Sequence, residues 1–359
     1  MVCSTYYFQY KRLSKHRGLM GRLSETEIGN LLGERVVQVA TPEHYPPGSI
    51  VWCADDLTPE AVQSCQWIPF LAAIDKLEWA GAPDWSVAQL EGLASELQSD
   101  YDAFQGFLKS ADRKRVLTSD DSWVPLISPQ AFDYQSPARQ SPYLIRAMVN
   151  LSVKRTPIKA ILDPMGGYGQ TLFESVLRKI DGVTLEISPT ASRRSAANLR
   201  KLLQRLGIPF EARQEEERYL FRSDTSPPCT YQIINGDTRR ADEYLQGQQF
   251  DSLITDFPYG VQAGSRGRSQ SSGTTITQVD SDQLLNSAFP SWNRLLKPDG
   301  SIVIAYNLDT LPCETVLELA ERHGFQERFQ DADLSERVSD KIHRDIAVFT
   351  HSCLNASAG

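Results

Sequence analysis

Four short stretches place chemically capable side chains at the ends of apolar runs. The first, Ile161-Leu162-Asp163-Pro164-Met165-Gly166-Gly167-Tyr168-Gly169-Gln170-Thr171, reads as a strand, a glycine-rich turn and the start of a helix. Glycine lets a backbone turn this tightly and lets a ligand approach it. The lysine of a GxxxxGK phosphate loop is missing, which argues against a nucleoside triphosphate. The next apolar run ends at Glu186, 19 residues after Gly167, where a carboxylate can accept both hydroxyls of a ribose. Together these favour a nucleoside-bearing cofactor. The third run ends in Ile234-Asn235-Gly236-Asp237. Its acid can take a hydrogen bond from an adenine amino group, or with equal weight start a turn or cap a helix. The fourth, Phe250-Asp251-Ser252-Leu253-Ile254-Thr255, runs into Asp256-Phe257-Pro258-Tyr259-Gly260. Alone, Asp-x-Pro-Tyr could be a plain turn with an exposed ring. In this order, after the other three, it reads as a site in which an acid and a ring meet a planar substrate.

The elements that must position these residues follow a regular alternation from about residue 141 onward. Strands are predicted at Ile158–Leu162, Gly182–Leu185, Tyr231–Ile234, Ser252–Thr255 and Ser301–Ala305. Helices are predicted at Pro142–Asn150, Thr190–Leu206, Asp282–Leu296 and Glu314–His323. Short apolar strands separated by helices mean a parallel sheet covered on both faces, so the fold class is α/β with a doubly wound, Rossmann-like sheet. Two polar insertions interrupt it, Gln214–Pro228 and Gly264–Gln278, the second where substrate loops usually sit.

The N-terminal part reads as a smaller α+β domain. Strands are expected at Tyr6–Tyr10, Val36–Ala40 and Ile50–Cys53, and helices at Ser24–Leu32, Ala61–Trp79 and Val87–Leu108. Residues Lys109–Gln140, rich in Ser, Asp, Arg and Pro, suit a connecting segment. The expected organisation is therefore 1–108, a linker over 109–140, and 141–352 for the doubly wound domain.

Composition narrows the class. A hydrophobic fraction of 41% with 23% charged residues supports a sizeable core and excludes wholesale disorder. No run of 18 apolar residues occurs and no apolar leader is read at the start, so neither a membrane span nor a secretory signal is expected. The six cysteines, at 3, 53, 65, 229, 313 and 353, form no CxxC pair and have no His at zinc-ligand spacing. They read as reduced, small hydrophobes of a cytoplasmic protein that holds no metal. A formal charge of −8 argues against non-specific coating of nucleic acid.

With these residues in view, the stretch from Gln135 to about Thr350 resembles the class I S-adenosylmethionine-dependent methyltransferases that act on amino groups, whose motif is (Asn/Asp)-Pro-Pro-(Tyr/Phe/Trp). Leu253–Arg266 and Phe132–Ser152 resemble more narrowly the tRNA guanine-N2 methyltransferases that carry a THUMP domain and methylate the guanosine at position ten. Tyr6–Gly33 and Ala72–Gly81 show a faint likeness to that family's N-terminal ferredoxin-like and THUMP region. The resemblance implies S-adenosyl-L-methionine as cofactor. It assigns Asp163, Gly167 and Gly169 to the methionine end, Glu186 to the ribose and Asp237 to the adenine. It assigns Asp256, the main-chain carbonyl of Phe257, Pro258 and Tyr259 to the target base. Phe257 departs from the family, which has proline there, and puts the loop's geometry in question.

An exocyclic amino nitrogen is a poor nucleophile because its lone pair is delocalised into the purine. Two acceptors, Asp256 and the Phe257 carbonyl, could take its two hydrogens and aim the lone pair at an activated methyl group. Arg266 and Arg268 in the second insertion, and Lys11 and Arg12 beside Tyr6, Tyr7, Phe8 and Tyr10, could contact a nucleic-acid backbone. The bland alternatives are solubilising charges and a terminal strand with an aromatic core face. Arg193, Arg194, Arg200, Lys201 and Arg205 read as a solvated helix face. The expected partners are a tRNA substrate and, as an open alternative, a small partner subunit, with no membrane. A DNA adenine-N6 methyltransferase and a non-catalytic RNA-binding protein on the same fold are the competing readings.

Overall fold

A computed structural model describes residues 3–10, 17–32, 36–38, 49–55, 57–78, 109, 111–118, 121–128, 131–132, 140–153, 157–258 and 281–352. The chain divides into two compact units, Met1–Asp121 and Ser122–Gly359.

The first unit holds a five-stranded sheet in the order β2-β3-β1-β4-β5. Its strands are β1 (Cys3–Tyr10), β2 (Val36–Gln38), β3 (Ser49–Asp55), β4 (Leu71–Glu78) and β5 (Asp112–Thr118), with helices α1 (Arg17–Leu32) and α2 (Pro59–Ser64). Helix α1 buries Leu19, Leu23, Ile28 and Leu32, a stripe at four- and five-residue steps. Helix α2 starts at Thr58, whose hydroxyl caps the Ala61 N–H at 3.2 Å, with Pro59 in the first turn.

Two expectations are corrected here. Ala61–Trp79 is not one helix: the helical part stops before Pro69, and Leu71–Glu78 is a strand held on both sides by β1 and β5. Sheet pairing overrides the helix-like composition of Leu-Ala-Ala-Ile-Asp-Lys-Leu-Glu, because neighbours on both edges satisfy its backbone. Nor is 109–140 wholly connecting: Asp112–Thr118 is the sheet's edge strand, and Val124–Ile127 a short helix of the second unit. The expected helix Val87–Leu108 lies outside the described residues. Tyr6, Tyr7 and Phe8 are buried, so these rings belong to the core.

The second unit is built on a mixed sheet in the order β13-β15-β12-β11-β6-β7-β10-β9-β8, with β14 on β15. Its elements in chain order are α3 (Val124–Ile127), α4 (Pro142–Ser152), β6 (Ala160–Asp163), α5 (Gln170–Arg178), β7 (Asp181–Glu186), α6 (Pro189–Arg205), β8 (Phe210–Glu215), β9 (Arg218–Ser223), β10 (Cys229–Asn235), α7 (Ala241–Tyr244), β11 (Phe250–Asp256), α8 (Ser281–Leu295), β12 (Leu296–Asn307), α9 (Cys313–Arg322), β13 (Phe325–Glu327), β14 (Glu336–Ser339) and β15 (Ile342–His351). The pairs β6–β7, β7–β10, β6–β11 and β11–β12 are parallel. One core packs α8 and α9 against Leu162, Leu185, Ile234, Leu253 and Ile304. The other packs α5 and α6 against Phe221, Tyr231 and Ile233. Helices therefore cover both faces, and the doubly wound, Rossmann-like class holds. Chain order runs outward from β6 in both directions, so the crevice between β6 and β11 is the topological switch point where ligands of such sheets sit.

The polar insertion Gln214–Pro228 is mostly ordered structure. It contributes to the antiparallel hairpin β8–β9, which extends the sheet beyond β10. Gly264–Gln278 lies outside the described residues.

Candidate functional site

Asp163 closes β6 with its carboxylate turned into the glycine turn. Its Oδ1 accepts the Met165 N–H at 3.1 Å, and its Oδ2 accepts the Thr171 hydroxyl at 2.6 Å, so strand, turn and helix α5 meet on one acid. The group is 5% exposed. Burial, reinforced by the charge of Asp256 and opposed by the bonds from Thr171 and Met165, pushes its carboxyl up to about 6.

The turn itself is pinned at both ends. Gly166 N–H donates to the Leu185 carbonyl at 2.8 Å, and Gly169 N–H to that of Gly166 at 2.7 Å. Gly167 has φ +51°, and a Cβ built there meets nothing within 4 Å, so the turn's outer surface is open. Gly169 has φ +88°, and a Cβ there comes 2.4 Å from the Ser195 hydroxyl, so helix α6 approaches the turn too closely for any side chain.

Glu186 closes β7. Its Oε2 accepts the Gly167 N–H at 3.0 Å and its Oε1 the Ser188 N–H at 2.7 Å, and burial raises its pKa against these two bonds. Gly236 N–H donates to the Glu186 carbonyl at 3.1 Å, which joins the end of β10 to the same edge. Asp237 takes the turn-capping part weighed for it. It caps the turn Thr238–Arg240 by accepting the Arg239 N–H at 2.9 Å, and the Arg239 guanidinium beside it holds its carboxyl below the usual range.

Asp256 closes β11, the neighbour of β6, and accepts the Gln140 side-chain amide at 2.7 Å on Oδ1. The Phe257 N–H then donates to the Ala305 carbonyl at 2.8 Å, a rung that proline in this position could not form. Its ring, 1% exposed, packs in the core that includes Leu285, Phe289 and Trp292. The departure from proline thus has a physical account: a sheet hydrogen bond and a buried ring fix the backbone that a proline ring would otherwise stiffen. Pro258 is exposed. Tyr259, Arg266, Arg268, Lys11 and Arg12 lie outside the described residues.

Asp163, Gly167, Gly169, Glu186, Asp237 and Asp256 therefore share one sheet edge, and the first four are joined by main-chain and side-chain hydrogen bonds around a single turn. The edge can offer carboxylates to a cation and to hydroxyls, and open backbone to a flat ligand lying across the turn. Sequence reading missed Thr171, Gln140 and Ile187. Ile187 is 66% exposed, and with Val338 one of the two large hydrophobics exposed among the described residues. It follows Glu186 directly, where it can cover one face of a planar ring. Its place after the acid was a usable signal; Gln140, 116 residues from Asp256, gave none.

The solvated helix face expected on α6 is present, with Arg193, Arg200 and Arg205 exposed and Arg194 and Lys201 half-buried, and Arg194, Arg200 and Arg205 also make contacts. Arg194 donates to the Tyr168 hydroxyl at 2.8 Å, Arg205 to the Ala131 carbonyl at 3.0 Å, and Arg200 lies over the Phe210 and Phe221 rings at 5.9 and 5.5 Å. These arginines fasten neighbouring elements to the helix. Among the described residues, no group of three or more His, Cys, Asp or Glu side chains could hold a metal ion, and no helix is long and apolar enough to cross a membrane.

No family model and no curated protein matches the chain. Among solved structures, TrmN from Thermus thermophilus aligns over 97% of this chain and 99% of its own, at 10% identity and a TM-score of 0.45. A precorrin-6y C5,15-methyltransferase from Geobacter metallireducens aligns over 64% of this chain and 100% of its own, at 16% identity and a TM-score of 0.40. A TehB-like SAM-dependent methyltransferase from Corynebacterium glutamicum aligns over 55% and 83%, at 18% identity and a TM-score of 0.32.

Proposed function

We propose that the second unit binds S-adenosylmethionine along its glycine turn and methylates an exocyclic amino group of a nucleobase, with guanine N2 at position ten of tRNA as the target. The carrying observation is the position of Asp256: an acceptor at the end of β11, beside the strand that bears the glycine turn, followed at once by the carbonyl of Phe257 on a backbone fixed by Ala305. The residues present fit the cofactor. Asp163 supplies a buried carboxylate for an ammonium group, Glu186 a carboxylate at the ribose distance in sequence, and Gly167 open backbone between them. Ile187 would cover an adenine face, with Asp237 at its edge. When bound, the cofactor's sulfonium supplies a methyl group activated for transfer.

The chain's own residues then have to orient a weak nucleophile. Asp256 and the Phe257 carbonyl accept the two amino hydrogens, which turns the nitrogen lone pair toward the turn. As the nitrogen gains the methyl it becomes acidic, and Asp256 or water takes the proton. Tyr259 is assigned to stacking on a base drawn out of its helix, and Arg266 and Arg268 to the adjoining backbone. The first unit, with Lys11 and Arg12, is assigned to RNA binding. The burial of Tyr6, Tyr7 and Phe8 takes these three rings out of that task.

The test incubates the protein with methyl-tritiated cofactor and either unmodified tRNA transcripts or unmethylated DNA, then identifies the labelled nucleoside. N2-methylguanosine from tRNA, lost at least a hundredfold in Asp256→Ala while cofactor affinity stays within about threefold, is the expected result. N6-methyladenine in DNA, or tight cofactor binding with transfer to neither, overturns it.

A further inference from the structure

Gln140 precedes Ser141, the residue that opens helix α4, and is 2% exposed. Its main chain is clasped by Gln170, the first residue of α5. Gln140 N–H donates to Gln170 Oε1 at 3.1 Å, and Gln170 Nε2 donates back to the Gln140 carbonyl at 3.0 Å. The Gln140 side chain reaches across to Asp256 and donates to Oδ1 at 2.7 Å. A chain of hydrogen bonds thus runs from the helix capped by Gly169, through Gln140, to the acid at the end of β11.

We propose, on the reading of the site given above, that Gln140 is a positioning residue: anchored by Gln170 to the cofactor-binding turn, it fixes the Asp256 carboxylate in the orientation that receives the target amine. The choice of an amide has a physical reason. Asp163 and Asp256 are like charges at the same edge, and a carboxylate beside another tends to rotate away. A Lys or Arg partner would hold Asp256 but would compete with the amine as a cationic donor. A neutral N–H fixes the rotamer and leaves the charge in place. Burial keeps water from replacing that bond.

The test measures kcat and KM for tRNA, S-adenosylhomocysteine affinity and melting temperature in Gln140→Met, Gln140→Ala, Gln170→Ala and the double variant Gln140→Met/Gln170→Ala. Met has nearly the volume of Gln but donates no hydrogen bond, so it separates filling space from holding the acid. The expected result is a loss of about ten- to a hundredfold in kcat for both Gln140 variants, with KM and cofactor affinity within twofold. Gln170→Ala should lose less, and the double variant no more than Gln140→Met alone. Wild-type kcat in Gln140→Met, a defect confined to cofactor affinity or KM, or independent losses in the double variant overturn the proposal. A wild-type chain that transfers no methyl to RNA refutes the underlying reading of the site, and this proposal with it.

Discussion

Changing Asp163 to Asn should stabilise the empty protein and weaken its grip on the cofactor, and both effects follow from one buried carboxyl. Burial foremost, with the charge of Asp256 added, moves that carboxyl from 3.8 to about 6. The folded chain therefore holds the proton more tightly than the unfolded chain does. The resulting stabilisation is complete below about pH 4 and is lost as pH rises to about 6. At neutral pH the ionised group costs up to about 3 kcal/mol, since a unit of pKa is about 1.4 kcal/mol. Asp163→Asn removes that cost while keeping an acceptor for the Met165 N–H and offering an amide N–H that the Thr171 hydroxyl oxygen can accept. The melting temperature of the empty chain should rise by several degrees at pH 7.5, at about 2–4 °C per kcal/mol, and the gain should vanish near pH 4.

Cofactor affinity should show the opposite sign. If a bound ammonium requires the ionised carboxylate, the competent fraction falls from about ten-elevenths at pH 7 to about one-eleventh at pH 5, a tenfold loss. Glu186 is also raised by burial and would add its own titration. The ratio of affinities for S-adenosylhomocysteine and 5′-methylthioadenosine cancels that addition, because the second compound shares the nucleoside and lacks the amino-acid end. Calorimetric titration of both ligands between pH 5 and 7.5 should give a ratio that changes about tenfold in the wild type and little in Asp163→Asn. A flat wild-type ratio, or an Asn variant that melts lower at pH 7.5, would refute the reasoning.

Other perturbations separate fold from site. Glu174→Ala breaks the buried ion pair with Arg146, which is 2% exposed and lies 3.4 Å over the Trp123 ring, so urea unfolding should show a loss of about 3–5 kcal/mol. Gly167→Ala meets open space at φ +51° and should cost only about 1–2 kcal/mol of stability, yet lower S-adenosylhomocysteine affinity at least tenfold; unchanged affinity would mean the ligand does not cross this turn. Phe257→Ala should cost about 3–5 kcal/mol, and Phe257→Pro should destabilise through the lost bond to Ala305; a proline variant as stable as the wild type would remove the account given for this position.

The site's acids were legible because strand, turn and acid follow one another along the chain. Asp163, Glu186, Asp237 and Asp256 each end an apolar run, and residues near in sequence need no knowledge of the fold to be grouped. The elements that were misread are those whose identity depends on distant partners. Leu71–Glu78 is a strand because β1 and β5 flank it, and Arg113-Lys114-Arg115 belongs to a strand because β4 pairs with it. The hairpin β8–β9 looked like a polar insertion because its strands extend a sheet edge and carry exposed charge. Gln140 escaped for the same reason: only the folded chain brings it to Asp256.

The two ends of β11 show why an acid's partners say more than its type. Asp251, at the amino end, takes the Lys159 and Ala160 N–H groups at 2.8 and 2.9 Å and the Lys297 ammonium at 2.7 Å, which fastens β6 and β12 to the strand. Glu174 and Asp242 likewise answer arginines. Such acids are neutralised where they stand, and their charge is spent on the fold. Asp163 and Glu186 are held by a hydroxyl and by main-chain N–H groups. Neutral donors orient a carboxylate without cancelling it. Asp163 and Glu186, held in this way, cost stability in the empty fold and remain able to meet a cation or a hydroxyl. Asp237 is paired with Arg239 and so belongs in part to the fold-fastening acids, while in the proposed site it adjoins the surface that Ile187 and the open backbone of Gly167 offer to a flat base.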